Sequence, residues 1–527
     1  LTAGNPFNTL YTQHHLNKAD SLGDIKDIFM GKYFIGIDVS TTASKALVID
    51  AQGTVITSQS HPHDLSTPRP LWSEQNAENW WEATSKALRD VMAIIPGEEV
   101  AAIGLTGQMH GLTTLDAQGQ PVRPAILWND QRSGAQCEAI TEKVGAKKLY
   151  QLIGSILQPG FTAPKLVWLR ENEPEAYQRI AHILLPKDYI RYRLSGAFVT
   201  DVADGSGMSL VDIGKRQWSD EMLAACDIPR EWLPELCESQ DVCAYVSEAA
   251  AAETGLKAGT PIVGGAGDQP AAGVGNGIVS FGQCSLTVGT SGVAYAINDH
   301  YAPEPDGRLH TFCGPMPGTW FHMGVMLSAA GCLRWLRDEL MPNMSYAEIN
   351  QHAESVPRGS LGLLFAPYLT GERNPHPDPL ARGAFVGLTL RHGLPHLIRA
   401  VMEGVAFGMR DQLELLKMLG VNPSEAVVSG GAVNSPVWRQ LITDIMGIPL
   451  YSVNTSEGSA FGAAILATVG VGEWADVPSA CAQMVRKVDQ IETDAAGVAD
   501  YERLYPTFRG LYPALAPTFS ALAAFEQ

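Results

Sequence analysis

No stretch of this sequence approaches the roughly 18 consecutive apolar residues of a membrane-spanning helix. Basic runs are missing too: the formal net charge is -19, and no cluster of Lys and Arg offsets it. A chain that acidic repels phosphate backbones and anionic lipid, which argues against nucleic acid or a membrane as partner. Cysteine is sparse, with 8 in 527 residues and no C-x-x-C pair. Such usage argues against a disulfide frame or a zinc site and fits reduced thiols in a cytoplasmic protein. Common catalytic signatures are absent as well. There is no G-x-x-x-x-G-K-[ST], which removes the P-loop NTPases. No H-E-x-x-H, G-x-S-x-G, H-R-D or D-F-G occurs, which weighs against zinc hydrolases, serine esterases and protein kinases. Gly265-Ala266-Gly267 begins like a dinucleotide fingerprint, but Pro270 stands where the third glycine belongs.

What is present is an ordinary globular balance, 45% hydrophobic and 18% charged, in a chain too long for one core. Residues 1–29 lack an apolar segment of the signal-peptide kind and read as a leader or added extension, with the functional chain starting near Met30. The rest divides into two domains, 30–278 and 279–527, with the boundary in the small-residue stretch 275–283.

Tyr33 to Asp50 reads strand, turn, strand: apolar Tyr33 to Ile37, small polar Asp38 to Ser44, apolar Ala46 to Ile49. About 250 residues later the pattern returns, as Ser285 to Val288, Gly289-Thr290-Ser291-Gly292, then Val293 to Ile297. Two such hairpins, each opening half of the chain, predict a duplicated pair of α/β lobes. Helices are expected over Asn76 to Ile94, over Leu397 to Leu419 with Gly420 and Pro423 as stop signals, and over Pro436 to Met446. Strands are expected at Val100 to Leu105, Pro261 to Val263 and Ala426 to Val428. Strands that run into glycine turns and then helices are the pattern of α/β folds, whose ligands gather at strand ends.

The turns carry the candidate chemistry. Backbone N–H groups in Gly, Ser and Thr turns can cradle phosphates, and an Asp at a strand end suits Mg²⁺, usually through water. Asp38 has that place, with Thr41, Thr42 and Lys45 nearby, and Gly289, Thr290 and Ser291 form the second turn. As a plain alternative, Asp38 only caps its turn. A third turn, Ser429-Gly430-Gly431-Ala432-Val433-Asn434, could approach an adenosine or merely connect strand to helix. Asp268 follows a strand inside a glycine loop and precedes Pro270 at a helix start, where it reads both as an N-cap kept ionised and as a base for a sugar hydroxyl. Gln108-Met109-His110-Gly111 also follows a strand, although a lone His in a loop is more often structural. Trp128-Asn129-Asp130 and Trp72 offer surfaces of the sort sugars stack on, with ordinary packing as the alternative.

Taken together these residues resemble the FGGY carbohydrate kinases. The resemblance runs from about residue 32 to 515 and includes two long signatures. One is Gly160-Phe161-Thr162-Ala163-Pro164-Lys165-Leu166-Val167-Trp168-Leu169; the other runs from Gly383-Ala384-Phe385-Val386-Gly387-Leu388 through His396-Leu397 to Ala400-Val401-Met402-Glu403. Leu71-Trp72-Ser73-Glu74-Gln75 and Tyr368-Leu369-Thr370-Gly371-Glu372-Arg373 add to it. The resemblance implies two actin-like ATPase (ribonuclease-H-like) domains flanking a catalytic cleft. It implies ATP and Mg²⁺ as cofactors and a small sugar as partner, D-xylulose foremost, phosphorylated at its C5 hydroxyl; a homodimer is left open. Carried over residue by residue, Asp268 would be the base, and Gln108, Met109, His110 and Gln269 would contact the sugar. Asp38 would serve the metal. Thr41, Thr42, Lys45, Gly289, Thr290 and Ser291 would serve the phosphates, and Gly430, Gly431, Ala432 and Asn434 the nucleoside.

Two positions depart from the family pattern. Ser40-Thr41-Thr42-Ala43 stands where a Gly-Thr-Ser-Gly is frequent, which makes the second turn the firmer phosphate loop. Gln269 follows the base where pentulose kinases often carry Asn, which keeps ribulose, L-xylulose and glycerol-like acceptors in play. An actin-like ATPase without sugar chemistry is the rival of a different class, but it gives no reason for Asp268 or for the Gln108 to Gly111 loop.

Overall fold

The computed structural model describes residues 32–525. The extension expected over residues 1–29, and the chain start near Met30, lie outside the described residues.

Two seven-stranded sheets form the frame. In the first, β1 (Tyr33–Val39), β2 (Ala43–Asp50) and β3 (Val55–Pro62) make an antiparallel meander, and β4 (Val100–Gly107) lies parallel to β1 on its other side. Outward from β4 come β5 (Val242–Tyr245) and β6 (Pro261–Val263), with β6 parallel to β4 and β5 antiparallel to β6. The order across the sheet is therefore β5-β6-β4-β1-β2-β3. The short segment Ala266–Gly267 also pairs with the end of β4.

The second sheet repeats this plan. Its strands are β7 (Cys284–Val288), β8 (Gly292–Asn298), β9 (His310–Cys313), β10 (Trp320–Met326), β11 (Ala426–Ser429), β12 (Leu450–Val453) and β13 (Lys487–Ile491), ordered β13-β12-β11-β7-β8-β10-β9. Strand for strand, β7, β8 and β10 repeat the meander, β11 and β12 repeat the parallel pair, and β13 repeats the antiparallel edge. The edge strand β9 has no counterpart. The duplicated pair of α/β lobes expected from the two hairpins is present.

Local sequence explains the main elements. Every residue of β4 is buried, because a central parallel strand is covered on both faces, and its sequence is accordingly apolar and small. Helix α1 (Ala77–Met92) starts where the Asn76 side chain accepts the Glu78 N–H at 3.1 Å, and its apolar stripe buries Trp80, Trp81, Leu88 and Val91. The signature Gly160 to Leu169 folds largely as α2 (Thr162–Asn172). Helix α3 (Asp268–Gly275) leaves the first sheet at Gly267. Helix α4 (Leu394–Met418) is nearly continuous in its burial and ends at Gly420, whose φ of 86° no ordinary helical residue adopts. Helix α5 (Pro436–Met446) has the expected bounds.

One element was not foreseen. Helix α6 (Gly458–Gly470), late in the chain, packs on β1 and β4 of the first sheet and on α3. The approach is backbone to backbone: a methyl group on Gly36 would overlap the Ala460 carbonyl, and one on Gly462 would overlap the Ala271 carbonyl. The second half of the chain thus supplies a wall of the first lobe. Among the described residues no helix is long and apolar enough to cross a membrane.

Candidate active site

The cleft between the lobes holds a pocket of about 200 Å³, lined from both halves of the chain. The first lobe contributes Met109, His110, Trp128, Phe161, Asp268 and Gln269; the second contributes Ser291, Val293, Met323, Val325 and Arg373.

Asp268 reaches this pocket because Gly267 pairs with Gly107 at the end of β4, so the turn into α3 lies beside the Gln108 to His110 loop. It is the first residue of α3. The N-cap is Gly267, which has no side chain to cap with, so the expectation that Asp268 caps the helix is corrected. Its charge state is corrected too. Burial, and next the negative charge of Asp38, push the Asp268 carboxyl up to about 7, against the opposing hydrogen bonds from Gln269. An acid poised near neutrality is well matched to accepting a proton.

His110 is held in a left-handed conformation, with φ of 66°. Its Nδ1 lies 2.8 Å from the Gly207 carbonyl, which can only accept, so Nδ1 carries the proton and Nε2 is left as an acceptor. Burial takes its pKa down to about 3, which keeps the ring neutral. The ring packs on Phe161 at 4.5 Å, and its backbone carbonyl accepts from Thr162 Oγ1 and Lys165 Nζ, each at 3.0 Å. Two signature residues therefore fix the histidine.

Gln108 is buried away from the pocket. Its Oε1 accepts from Thr41 Oγ1 at 3.2 Å and its Nε2 donates to Gln75 Oε1 at 2.9 Å, so its amide supports the loop rather than a ligand. Trp128 Nε1 donates to Thr41 Oγ1 at 3.1 Å. The Thr41 hydroxyl is thus already tied to Gln108 and Trp128, while Thr42 is exposed. Trp72 does not reach the pocket; it packs edge-on against Trp168, under the Arg132 guanidinium.

Asp38 stands at the end of β1. One oxygen, Oδ2, accepts from Ser459 Oγ on α6 at 2.7 Å, and the other, Oδ1, is buried without a partner. Burial pushes this carboxyl up, and an ionised form there calls for a cation or water on Oδ1. The donor chemistry, a carboxylate with a free buried oxygen, fits a hydrated Mg²⁺. Lys45, opposite Asp38 across β1 and β2, is engaged: its Nζ lies 2.5 Å from Glu457 Oε2.

In the second turn Thr290 and Ser291 are exposed, and no described residue hydrogen-bonds their hydroxyls, while the Thr290 carbonyl accepts from Ala329 N at 2.9 Å. The third turn abuts it. Gly430 has φ of 93°, and a methyl group on it would meet the Val288 carbonyl carbon at 2.6 Å, so only glycine lets the two turns touch. Gly431 and Asn434 face solvent, whereas Ala432 packs inward and offers only its backbone.

Sequence reasoning missed Ser459, Glu457 and the pocket role of Arg373. The interior strand glycines Gly36 and Gly104 signal a close backbone approach, although not its partner.

Two lobes of one plan, each presenting a small-residue turn to a shared cleft, define an actin-like phosphotransferase fold. The sequence profiles agree: that of the FGGY family of carbohydrate kinases, N-terminal domain, matches residues 33–275, and that of the C-terminal domain matches residues 284–471. The chain belongs to this family and is an ATP-dependent sugar phosphotransferase. It is 39% identical to the xylulose kinase of Escherichia coli strain K12 over 485 residues, 92% of this chain and 99% of that one. The solved structure of xylulose kinase from Rhodospirillum rubrum superposes with a TM-score of 0.87 at 30% identity, covering 93% of this chain and all of that one. The gluconokinase of Bacillus licheniformis is 28% identical over 94% of this chain and 99% of its own length.

Proposed function

We propose that the chain transfers the γ-phosphoryl group of ATP to the C5 hydroxyl of D-xylulose, giving D-xylulose 5-phosphate and ADP. The observation that carries the proposal is Asp268, a carboxyl held near neutrality in a pocket with walls from both lobes. In this reading Asp268 accepts the hydroxyl proton, the freed oxygen forms the new bond to the γ-phosphorus, and the β,γ-bridging oxygen leaves with ADP. The His110 Nε2 accepts from a sugar hydroxyl, and Met109, Trp128 and Gln269 complete the surround. Thr290 and Ser291 cradle the phosphates from the second lobe, and Gly430, Gly431 and Asn434 border the nucleoside. Asp38 holds Mg²⁺, whose charge offsets that of the phosphates when it is bound. Lobe closure on the sugar excludes water from the γ-phosphate.

A second reading, an aldonate such as gluconate as acceptor, is favoured by Arg373 in the pocket wall. A coupled ADP-release assay over D-xylulose, D-ribulose, L-xylulose, glycerol and gluconate separates the two. D-xylulose is expected to give the highest kcat/KM. ATP hydrolysis that no sugar changes would sink the proposal.

A further inference from the structure

The pocket contains a cation with only its neighbour Glu372 as a nearby opposite charge. Arg373 lies in its wall, and among the described residues no carbonyl or carboxylate hydrogen-bonds its guanidinium. The backbone around it is fixed. On one side Glu372 Oε1 accepts from Leu327 N at 3.0 Å and from Arg373 N at 2.7 Å. On the other, Asn374 Oδ1 accepts from Val325 N at 2.8 Å and Asn374 Nδ2 donates to the Arg308 carbonyl at 2.7 Å. The flanking side chains thus clamp the segment to β10, and the guanidinium is left facing the pocket.

Glu372 is a poor counter-ion for it. Its Oε1 is taken by backbone N–H groups, and burial pushes its carboxyl up to about 8. The imidazoles that feel the guanidinium's charge, those of His110 and His310, are kept neutral by burial, and His310 Nδ1 is already engaged with Ser155 Oγ at 2.6 Å. The guanidinium is half-buried and stays charged, and its rigid fork of donors calls for acceptors.

Its position decides which acceptor. Asp268 enters the pocket from the first lobe, at the turn into α3, whereas Arg373 sits on a segment held to β10 of the second lobe. The pocket therefore carries the Asp268 carboxyl in the wall from one lobe and the guanidinium in the wall from the other.

We infer that Arg373 is a specificity-determining residue, whose guanidinium takes a carbonyl or carboxylate oxygen at the end of the acceptor away from the hydroxyl that Asp268 deprotonates. The inference rests on the reading of this pocket as the acceptor site. It gives the substrate class: short acceptors oxidised at the far end, 2-ketoses and aldonates, over polyols of the same carbon skeleton. A polyol offers the guanidinium only a hydroxyl, a weaker acceptor than a polarised carbonyl or a carboxylate.

The test compares D-xylulose with xylitol, which differ only at C2, and adds gluconate as the carboxylate probe, in wild type, Arg373→Met and Arg373→Lys. Turnover is followed by ADP release, and acceptor binding without ATP by Trp128 fluorescence. Wild type is expected to prefer D-xylulose. Arg373→Met is expected to lose D-xylulose and gluconate binding on the order of 10- to 100-fold, as for a hydrogen bond to a charged group, with xylitol changed far less. Arg373→Lys, which keeps the charge and loses the fork, should fall between. Equal losses for all acceptors, or a fall in kcat with binding unchanged, would overturn the inference and make Arg373 a residue of the phosphoryl group. An unchanged variant would overturn it while sugar phosphorylation stands; a wild type that neither binds nor phosphorylates any sugar would remove both.

Discussion

The first turn, Ser40 to Thr42, and the second, Gly289 to Ser291, hold the same place in two copies of one sheet, yet they are built for different work. The first closes on itself: Ser40 N donates to the Ala43 carbonyl at 3.0 Å, and Ser40 Oγ donates to it at 2.8 Å. Its Thr41 hydroxyl is committed to Gln108 and to Trp128, the latter in the pocket wall. The second is open, with Thr290 and Ser291 hydroxyls unengaged by any described residue and a third glycine turn pressed against it. Duplication supplied two equivalent turns. The difference between them teaches that one turn is tied into its own lobe, whereas the other keeps its donors free for a ligand.

The largest effect expected from breaking this division is at Asp268. Asp268→Asn keeps the shape and removes the base, so kcat should fall roughly 10²- to 10⁴-fold while ATP affinity, measured by calorimetry, stays as it was. In wild type kcat/KM should rise with pH and level off above about 7, since the base must be ionised. Stability should run the other way. The folded carboxyl binds its proton more tightly than the unfolded one, so stability falls as pH rises from the ordinary carboxylate range through about 7. Asp268→Asn should therefore raise Tm more at pH 8 than at pH 5. Equal Tm shifts would show that the group is not held protonated by the fold.

A smaller effect sharpens the same comparison. Thr290→Val removes an exposed hydroxyl of the second turn and should raise KM for ATP several-fold while leaving that for the sugar. Thr41→Val unties Trp128 and Gln108 and should do the reverse. If both variants weakened ATP alike, the turns would be equivalent after all.

Much of this was legible in the sequence. The hairpins at Tyr33 and Ser285 carry their own turn chemistry, and Pro436 to Met446 carries its own start signal, so local rules were sufficient. Asp268 and His110 were legible as candidates because each follows a strand. Their states were not, because a pKa near 7 at Asp268 depends first on burial by the assembled lobes and next on Asp38, far away in the chain. Ser459 reaches Asp38 across 421 positions, and helix α6 lies on the other lobe's sheet. No periodicity encodes such a pairing; only the bare strand positions Gly36 and Gly104 hint that a backbone must come close. Gln108 shows the same limit. Its position in the loop suggested a ligand contact, and only the packed neighbours Thr41 and Gln75 show that its amide is spent on the scaffold.

The smallest effect concerns Ser40, which occupies a position where the family often has glycine. Glycine is needed in a turn when φ is positive or when a methyl would collide. Neither φ at Ser40 nor that at Ala43 is positive. Ser40 instead uses its side chain, accepting the Ala43 N–H at 3.3 Å and donating to the Ala43 carbonyl. Ser40→Gly would remove that bridge and add freedom to the unfolded chain, so Tm should drop slightly, by an amount corresponding to about 1 kcal/mol. KM for ATP should not improve, because the backbone already has an ordinary conformation. A clear gain in ATP affinity would mean that the serine side chain obstructs the phosphates, and that the first turn approaches them as closely as the second.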